Sequence, residues 1–309
     1  MDHRKALDDK AMSIMVILCL IWGLQQVMLK AAAADISPLF QIAIRSGVAT
    51  LLIGLLMIKQ GIRLSVGDGT LRPGLLVGFL FALEFLLIGQ GLRFTSASHM
   101  VVFLYTAPIF VALGLHWRLP AERLATLQWV GVALAFGGVV IAFMGSGGSA
   151  LELADILLGD FMALMAGIAW AATTVAVRLS SLAREPATKT LFYQLSAGFV
   201  LLMPATLVLD QTSFNPTPIA WGSLLFQSLV VSFASYLTWF WLLRHYLASR
   251  LGVFSFLTPI FGVAFGVWLL NEPLEPNFVI GAMLVCAGIA LVSGYGWIKT
   301  VIGRKAQQP

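Results

Sequence analysis

The chain contains 309 residues, of which 59% are hydrophobic and only 11% are charged. A soluble domain is roughly half apolar and about a quarter charged, so this composition excludes an ordinary soluble enzyme and predicts an integral membrane protein. The net charge of +5 does not indicate a nucleic-acid partner, because the basic residues form no patch interleaved with aromatic residues.

Apolar runs of about 20 residues, each long enough to cross a ~30 Å hydrocarbon core, follow one another along the chain. The breaks between them are too short to form a soluble domain. The first run follows RKALDDK without a small-residue cleavage site, so we expect a retained helix rather than a signal peptide. The ten predicted helices span residues 12–33, 38–59, 71–93, 96–118, 126–144, 155–180, 187–209, 218–244, 249–270 and 276–298.

The first predicted helix contains two amides within the apolar stretch IWGLQQVMLK. Trp22, Gln25 and Gln26 stand at i, i+3 and i+4, so they share one face of the helix. Polar side chains in lipid turn toward the protein interior, where they either hold helices together or line a wet cavity. The sixth predicted helix repeats the arrangement in AWAATTVAVR, with Trp170, Thr173 and Thr174.

The second and third predicted helices each contain one charged residue in an apolar run. Arg45, about a third of the way along the second helix, is expected to have a structural role. Glu84 lies halfway along the third helix, where inserting an acid costs roughly 2.5–3.5 kcal/mol, so it should face the interior. Three roles fit it: a proton carrier, a contact for a substrate ammonium group, or a structural acid. Phe81 and Phe85 share its face of the helix.

Proline lies in the middle of the fourth and ninth predicted helices. Pro108 and Pro259 each remove one backbone hydrogen bond, so we expect a kink at each position. Such a kink could let half a helix swing and close a cavity, or it could be a static bend filled by its neighbours. His99 is expected at the membrane interface. The candidate cavity contacts that precede the prolines are Tyr105, Ser255 and Phe256.

The eighth predicted helix combines hydroxyl groups with aromatic rings on one stripe. A cavity for amphipathic molecules needs flat apolar surface together with a few hydrogen-bonding groups. The fifth and tenth predicted helices instead contain small residues at near-helical spacing, which favours close helix packing and a structural role. The stripe on the eighth helix consists of Ser232, Ser235, Tyr236 and Trp239.

The second half of the sequence echoes the first. GLRFTSASHMVVFLYTAPIF (91–110) aligns without a gap with LLRHYLASRLGVFSFLTPIF (242–261), and each segment ends in Pro-Ile-Phe. A repeat that follows an odd number of helices enters the membrane in the opposite orientation. We therefore predict an all-α membrane protein with two inverted five-helix repeats, at residues 1–147 and 148–309, around a central cavity.

Basic residues gather in alternate breaks, and short loops rich in Lys and Arg stay cytoplasmic. If the N-terminus is cytoplasmic, 16 of the 19 basic residues fall on the cytoplasmic side, and Lys30 and Arg93 fall on the other side. This distribution predicts a multi-pass membrane protein with both termini in the cytoplasm.

The repeated pattern resembles the drug/metabolite transporter superfamily of the EamA type. The shared features are two inverted five-helix halves, an early Trp in each half, a helix containing Pro-Ile-Phe, and a glutamate before the Gly-rich closing helices. The length, the Trp-Gly-Leu start and the aromatic richness are most similar to the bacterial aromatic amino acid exporters of the YddG type. The resemblance implies that helices 1, 3, 4, 6, 8 and 9 surround the cavity, while helices 5 and 10 brace the two halves.

Enzymes and channels are the competing function classes. The four histidines show no metal-ligand spacing, and the sequence contains no phosphate loop or nucleophile elbow, so we expect no enzymatic activity, metal or cofactor. A channel would need repeated polar rings or carbonyl filters. We therefore expect a secondary transporter in contact with lipid. The resemblance implies export of amino acids, including aromatic ones, across the bacterial inner membrane, and Glu84 is the candidate proton carrier if transport is coupled to protons. The alternative is export of a drug-like or other small metabolite.

Overall fold

The computed structural model describes residues 8–65, 67–144, 150–246, 251 and 253–305, and these residues are almost wholly helical. The expected boundary between the repeats, at 147/148, lies outside the described residues. The helices are α1 (Asp9–Ala31), α2 (Pro38–Lys59), α3 (Leu71–Gly91), α4 (Ala97–Leu104), α5 (Ala107–Arg118), α6 (Thr126–Phe143), α7 (Ala150–Leu179), α8 (Ala187–Val208), α9 (Pro218–Leu225), α10 (Tyr236–His245), α11 (Leu257–Leu270) and α12 (Pro276–Lys305).

Nine helices in the described part of the chain are long and apolar enough to cross a membrane. A shorter apolar helical segment, Phe254–Leu270, lies where the ninth helix was predicted. The prediction of an all-helical membrane protein is therefore confirmed. Side-chain caps define where several helices begin, because a Ser, Thr or Asp oxygen accepts a backbone N–H that has no partner within the helix. Asp8, Ser37, Ser96 and Thr217 cap α1, α2, α4 and α9 in this way.

Three predicted helices are less regular than the sequence suggested. The fourth is divided into α4 and α5 by Tyr105 and Thr106, and the described part of the ninth contains the 3-10 turn Val253–Phe256 directly before α11. Pro108 and Pro259 therefore lie in the first turn of a new helical segment rather than in the middle of a continuous helix. A proline is tolerated there because the N–H that it lacks would have no helical partner. The eighth helix contains the π-helical segment Phe226–Ser235 between α9 and α10.

The helices α6 and α12 pack against each other through glycines. A Cβ atom added to Gly138 would lie 2.6 Å from the carbonyl oxygen of Gly281, and one added to Gly131 would lie 2.9 Å from that of Gly288. The contact is antiparallel and reciprocal, since the earlier glycine of each helix meets the later glycine of the other. A two-fold axis between equivalent elements produces this pattern, so the packing agrees with the inverted repeats.

Contacts between loops define the two ends of the helix bundle. At the end that contains the loops after α1 and α8, here called the upper end, Asn215 donates to Asp35 over 3.0 Å. Lys30 donates to the carbonyl of Leu92 at this end and interacts electrostatically with Glu272. At the lower end, Lys189 pairs with Asp68 over 2.6 Å. The distribution of basic residues predicts that Lys30 lies on the outer side of the membrane, and which side each end of the bundle faces stays a prediction.

Candidate functional site

Trp22 links the first and eighth spanning helices in the interior. Its indole Nε1 donates a hydrogen bond to Ser235 Oγ over 3.0 Å, and Ser235 Oγ donates to the carbonyl of Val231 over 2.6 Å. The ring of Trp22 also meets Trp239 edge to face, with the ring centroids 5.7 Å apart. Three predicted site residues from opposite halves of the sequence are therefore in direct contact.

A second group of aromatic rings continues this interior surface. Tyr105, at the break between α4 and α5, meets Trp170 of α7 edge to face, with a centroid distance of 5.2 Å. The ring centroids of Phe81 and Phe85 on α3 lie 4.6 Å apart. Phe81 and Tyr105 are buried in the central core, and Trp170, Tyr236 and Phe256 pack against that core. Helices of both halves thus contribute rings to one interior region.

Glu84 of α3 is buried within this region, with 5% of its surface exposed. It lies within electrostatic range of Arg45, Tyr105 and Tyr236. Its carboxyl group makes no hydrogen bond or ion pair with the residues that the structure describes. The expectation that Glu84 faces the protein interior agrees with this placement, and its role stays a proposal.

Arg45 of α2 is almost completely buried, with 1% of its surface exposed. Its Nη1 donates to Gln227 Oε1, and its guanidinium carbon lies 4.5 Å from the centroid of the Phe85 ring. Gln227 Nε2 in turn donates to the carbonyl of Gln25 over 2.8 Å. Arg45 Nε has no hydrogen-bond partner among the described residues. The partner of the Arg45 guanidinium is therefore a neutral amide oxygen, that of Gln227.

The remaining predicted residues differ in their surroundings. Gln25, Gln26 and Thr173 are buried, and Gln26 Oε1 has no hydrogen-bond partner among the described residues. Thr173 donates to the carbonyl of Ala169 within its own helix. Thr174 is exposed and donates to the backbone carbonyl of Trp170 over 3.1 Å. Ser255 is half-buried in the turn before α11.

Two polar residues of the π-helical segment, Gln227 and Ser228, were not predicted as cavity contacts, whereas Ser232 and Ser235 were placed on the polar stripe of this helix. Gln227, Ser228, Ser232 and Ser235 are all buried, and Ser228 Oγ has no partner among the described residues. Widened π turns occur frequently at functional sites because they re-aim side chains within a helix. Gln227 could have been found by the same signal as Gln25, which is an amide inside an apolar run.

A network of buried polar groups closes the upper end. Asp160 of α7 is fully buried, accepts a hydrogen bond from Thr95 Oγ1 over 2.5 Å, and contacts His99 Nδ1 over 2.8 Å. The ring of His99 stacks on that of Phe278, with the ring centroids 3.9 Å apart. His99, which was expected at the membrane interface, therefore packs against other side chains of the bundle. Asp160 is an acid in an apolar run, which is the same signal that singled out Glu84.

Two further contacts complete the upper-end network. Glu272 accepts hydrogen bonds from the backbone N–H groups of Ala97 and Ser98 over 2.7 and 2.9 Å, which caps the start of α4. Lys30 donates to the carbonyls of Leu92 and Thr95. These contacts join α1, α4, α7 and the segment before α12 at one end of the bundle.

Ion pairs hold the lower end. Lys189 Nζ lies 2.6 Å from Asp68 and 3.1 Å from Glu185. Hydrogen bonds from Lys189 and Thr70 hold the pKa of the Asp68 carboxyl well below its usual range. Arg178 and Glu122 form a more exposed pair at 3.1 Å.

Two clefts in the described structure are open, and one of them is lined by the predicted cavity residue Phe256. A cleft of about 420 Å³ opens at the upper end beside Lys30, Arg93 and Asp210. An apolar groove of about 360 Å³ runs between α11 and α12, past Pro259 and Cys286. The region around Glu84 is closed instead, since Gln25, Arg45 and Tyr105 are all buried. Among the described residues, no group of three or more His, Cys, Asp or Glu side chains could hold a metal ion.

Comparisons with known proteins follow the same division into halves. The model of the EamA-like transporter family matches the chain twice, over residues 9–144 and 157–294. An uncharacterized transporter of Bacillus subtilis, YoaV, is 26% identical over 282 residues, which cover 91% of this chain and 95% of that protein. A probable amino-acid metabolite efflux pump of Escherichia coli is 26% identical over 306 residues, covering 95% of this chain and 97% of that protein. A solved crystal structure covers 93% of this chain and 98% of its own at 21% identity, with a TM-score of 0.64, and therefore supports the fold.

Proposed function

The chain belongs to the EamA-like transporter family, and from this premise we propose that it is a secondary transporter that exports amino acids, including aromatic ones, by alternating access. The observation that carries the proposal is the interior aromatic surface around Glu84, to which both halves of the chain contribute. Members of this family are transporters, so an enzymatic function is not supported.

The chemistry of the interior suits small amphipathic molecules. Rings such as Trp22, Tyr105 and Trp170 offer flat apolar surface, while Gln26 and Glu84 offer polar contacts. The similarity to a probable amino-acid metabolite efflux pump favours amino acids as the substrate class. A YddG-type preference for aromatic amino acids is the narrower form of the proposal, and export of another small metabolite is the alternative.

Alternating access requires the two ends of the bundle to open in turn. The network of Asp160, His99, Thr95 and Glu272 would have to separate before the interior could open at the upper end. The interruptions before Pro108 and Pro259 provide places where backbone angles can change without disrupting a continuous helix. We propose that the upper end faces the outside of the inner membrane and that both termini are cytoplasmic, so export ends with release at the upper end.

Counterflow in liposomes tests the proposed function. Purified protein should exchange labelled phenylalanine, tryptophan or leucine saturably. Tyr105→Ala, which removes an interior ring, should raise the half-saturating concentration, whereas Phe161→Ala should not, because Phe161 is exposed on α7. Saturable exchange of other metabolites with none of any amino acid would favour the alternative, and unsaturable flux would indicate a channel.

The proposal that Glu84 carries a coupling proton has its own test. A proton carrier must alternate between its neutral and charged forms, which glutamine cannot do. Glu84→Gln should therefore retain counterflow at saturating substrate but lose transport driven by a pH jump. Glu122→Gln is the matched control, since Glu122 is exposed at the lower end. An unchanged response to the pH jump in Glu84→Gln would exclude Glu84 from coupling.

A further inference from the structure

Arg45 and Glu84 place opposite charges at the same depth of the bundle. Arg45 follows the start of α2 by seven residues, and Glu84 precedes the end of α3 by seven residues. Both of these helix ends lie at the upper end, so a rise of about 1.5 Å per residue places each charge roughly 10 Å below it. The two side chains interact electrostatically, and both are buried.

The two charges are nevertheless not paired with each other. No ion pair or hydrogen bond joins them, although both residues lie in the described part of the chain. Arg45 donates to the neutral Gln227, its Nε has no partner, and Glu84 makes no hydrogen bond there. Buried charges that serve only stability are normally paired and hydrogen-bonded, because desolvation without compensation is costly. The separation leaves both groups available to bind another molecule.

Neighbouring polar atoms are also unsatisfied. Gln26 Oε1 on α1 and Ser228 Oγ on the π-helical segment have no partners among the described residues. These segments adjoin Arg45 through Gln227, which bonds both the guanidinium group and the carbonyl of Gln25. The ring of Phe85 covers one face of the Arg45 guanidinium and restricts its orientation.

We propose that Arg45 and Glu84 together bind the charged groups of a zwitterionic α-amino acid, with Arg45 taking the carboxylate and Glu84 the ammonium group. A guanidinium fork matches the geometry of a carboxylate, and an ammonium group donates to a carboxylate. The substrate side chain then faces the aromatic surface formed by Phe81, Tyr105 and Trp170. Because both charges are buried, the substrate reaches them only when the helices separate. This inference rests on the proposed function, and it makes α2 part of the substrate site.

Analogues that lack one charge test the inference on the unaltered protein. Phenylalaninamide lacks the carboxylate, and 3-phenylpropionate lacks the ammonium group. Each leaves one buried protein charge unpaired, so the half-saturating concentration should rise about 10- to 100-fold relative to phenylalanine in competition against labelled phenylalanine counterflow. Equal competition by phenylalanine and both analogues would overturn the inference and leave amino-acid transport intact. Absence of counterflow with any amino acid would remove the proposed function and this inference together.

Variants assign each charge to its residue. Arg45→Gln should raise the half-saturating concentration of phenylalanine to that of phenylalaninamide, and it should leave the value for phenylalaninamide unchanged. Glu84→Gln should raise the half-saturating concentration of phenylalanine to that of 3-phenylpropionate. Arg72→Gln, an exposed position on α3, is the matched control and should change neither. Arg45→Lys keeps the charge but not the fork, and it should retain the preference for phenylalanine over its amide if Arg45→Gln does not fold. A preference for phenylalanine over the amide that persists unchanged in Arg45→Gln would overturn the assignment of Arg45.

Discussion

Charged side chains in this protein differ in whether a neighbouring group satisfies them. Asp68, Asp160 and Glu272 each have at least one hydrogen-bond partner within 3.0 Å, and these contacts fasten the lower or the upper end of the bundle. Arg45 and Glu84 lie deeper and remain apart. A satisfied charge stabilises the contact that it makes, whereas an unsatisfied buried charge reduces stability and is tolerated where a ligand completes it.

Asp68 gives a prediction about pH. The pKa of the Asp68 carboxyl is lowered in the folded protein, chiefly by the hydrogen bond from Lys189. The stabilisation that this contact provides is therefore fully present above the unfolded pKa of about 3.9. It is lost as the pH falls through the lower pKa of the folded protein. Asp68→Asn should therefore lower the unfolding temperature in detergent at pH 7, and the difference from the unaltered protein should shrink below about pH 4.

The control for this measurement is Glu122→Gln, which removes an ion pair with Arg178 in which both side chains are well exposed. An exposed pair contributes little, so this variant should unfold close to the unaltered protein at pH 7. If the effect of Asp68→Asn were the same at every pH, the Lys189 contact would not be the cause of the lowered pKa.

At the scale of helices, α6 and α12 depend on backbone proximity. Gly138 lies so close to Gly281 that a methyl group would approach its carbonyl oxygen to 2.6 Å, and the same contact recurs between Gly131 and Gly288. Helices in lipid gain little from hydrophobic burial against one another, so close packing through small residues is a main source of their association. The pair joins the closing helices of the two halves.

The neighbouring glycines of α6 provide a matched comparison. Gly138→Ala should destabilise the protein by about 1–3 kcal/mol, because α6 and α12 must move apart to admit the methyl group. Gly137→Ala should be neutral or stabilising by up to about 1 kcal/mol, since a Cβ at Gly137 meets no atom within 4 Å and alanine favours the helix. Thermal unfolding in detergent compares the two, and equal effects would contradict the proposed packing.

For the whole molecule, the expected inverted repeats and the charge distribution predict one orientation in the membrane. Lys30 and Glu272 lie at the upper end and Asp68 and Arg178 at the lower end, so loops from both halves meet on each side of the membrane. Because basic residues concentrate at the lower end, we expect that end to face the cytoplasm.

Cysteine labelling tests this orientation. Both native cysteines lie within helices, so Cys19 and Cys286 can be replaced by alanine before single cysteines are introduced. A cysteine at Ser213, which is exposed at the upper end, should react with an impermeant thiol reagent in intact cells. A cysteine at Gly67, exposed at the lower end, should react only after the cells are opened. Labelling at Gly67 alone would reverse the orientation, and equal labelling of both in intact cells would contradict it.

Several features of the structure were predictable from local sequence patterns. The boundaries of α2 agree with the predicted 38–59, and those of α6 and α8 differ from prediction by one residue. The contacts between Trp22 and Ser235 and between Tyr105 and Trp170 also join residues that the sequence had assigned to one cavity. Hydrophobicity over about 20 residues determines which segments enter the membrane, and helical periodicity determines which residues share a face.

The sequence by itself determined the membrane environment, the helical fold and the repetition of the two halves, because these follow from composition, run length and spacing along the chain. Only the tertiary structure decided which polar groups meet: Arg45 bonds Gln227 across 182 positions, and Asp160 is held by Thr95 and His99. Periodicity places a residue on a face of its helix, but the rotation and crossing of neighbouring helices determine what that face contacts. The unpaired state of Arg45 and Glu84 therefore became visible only in three dimensions.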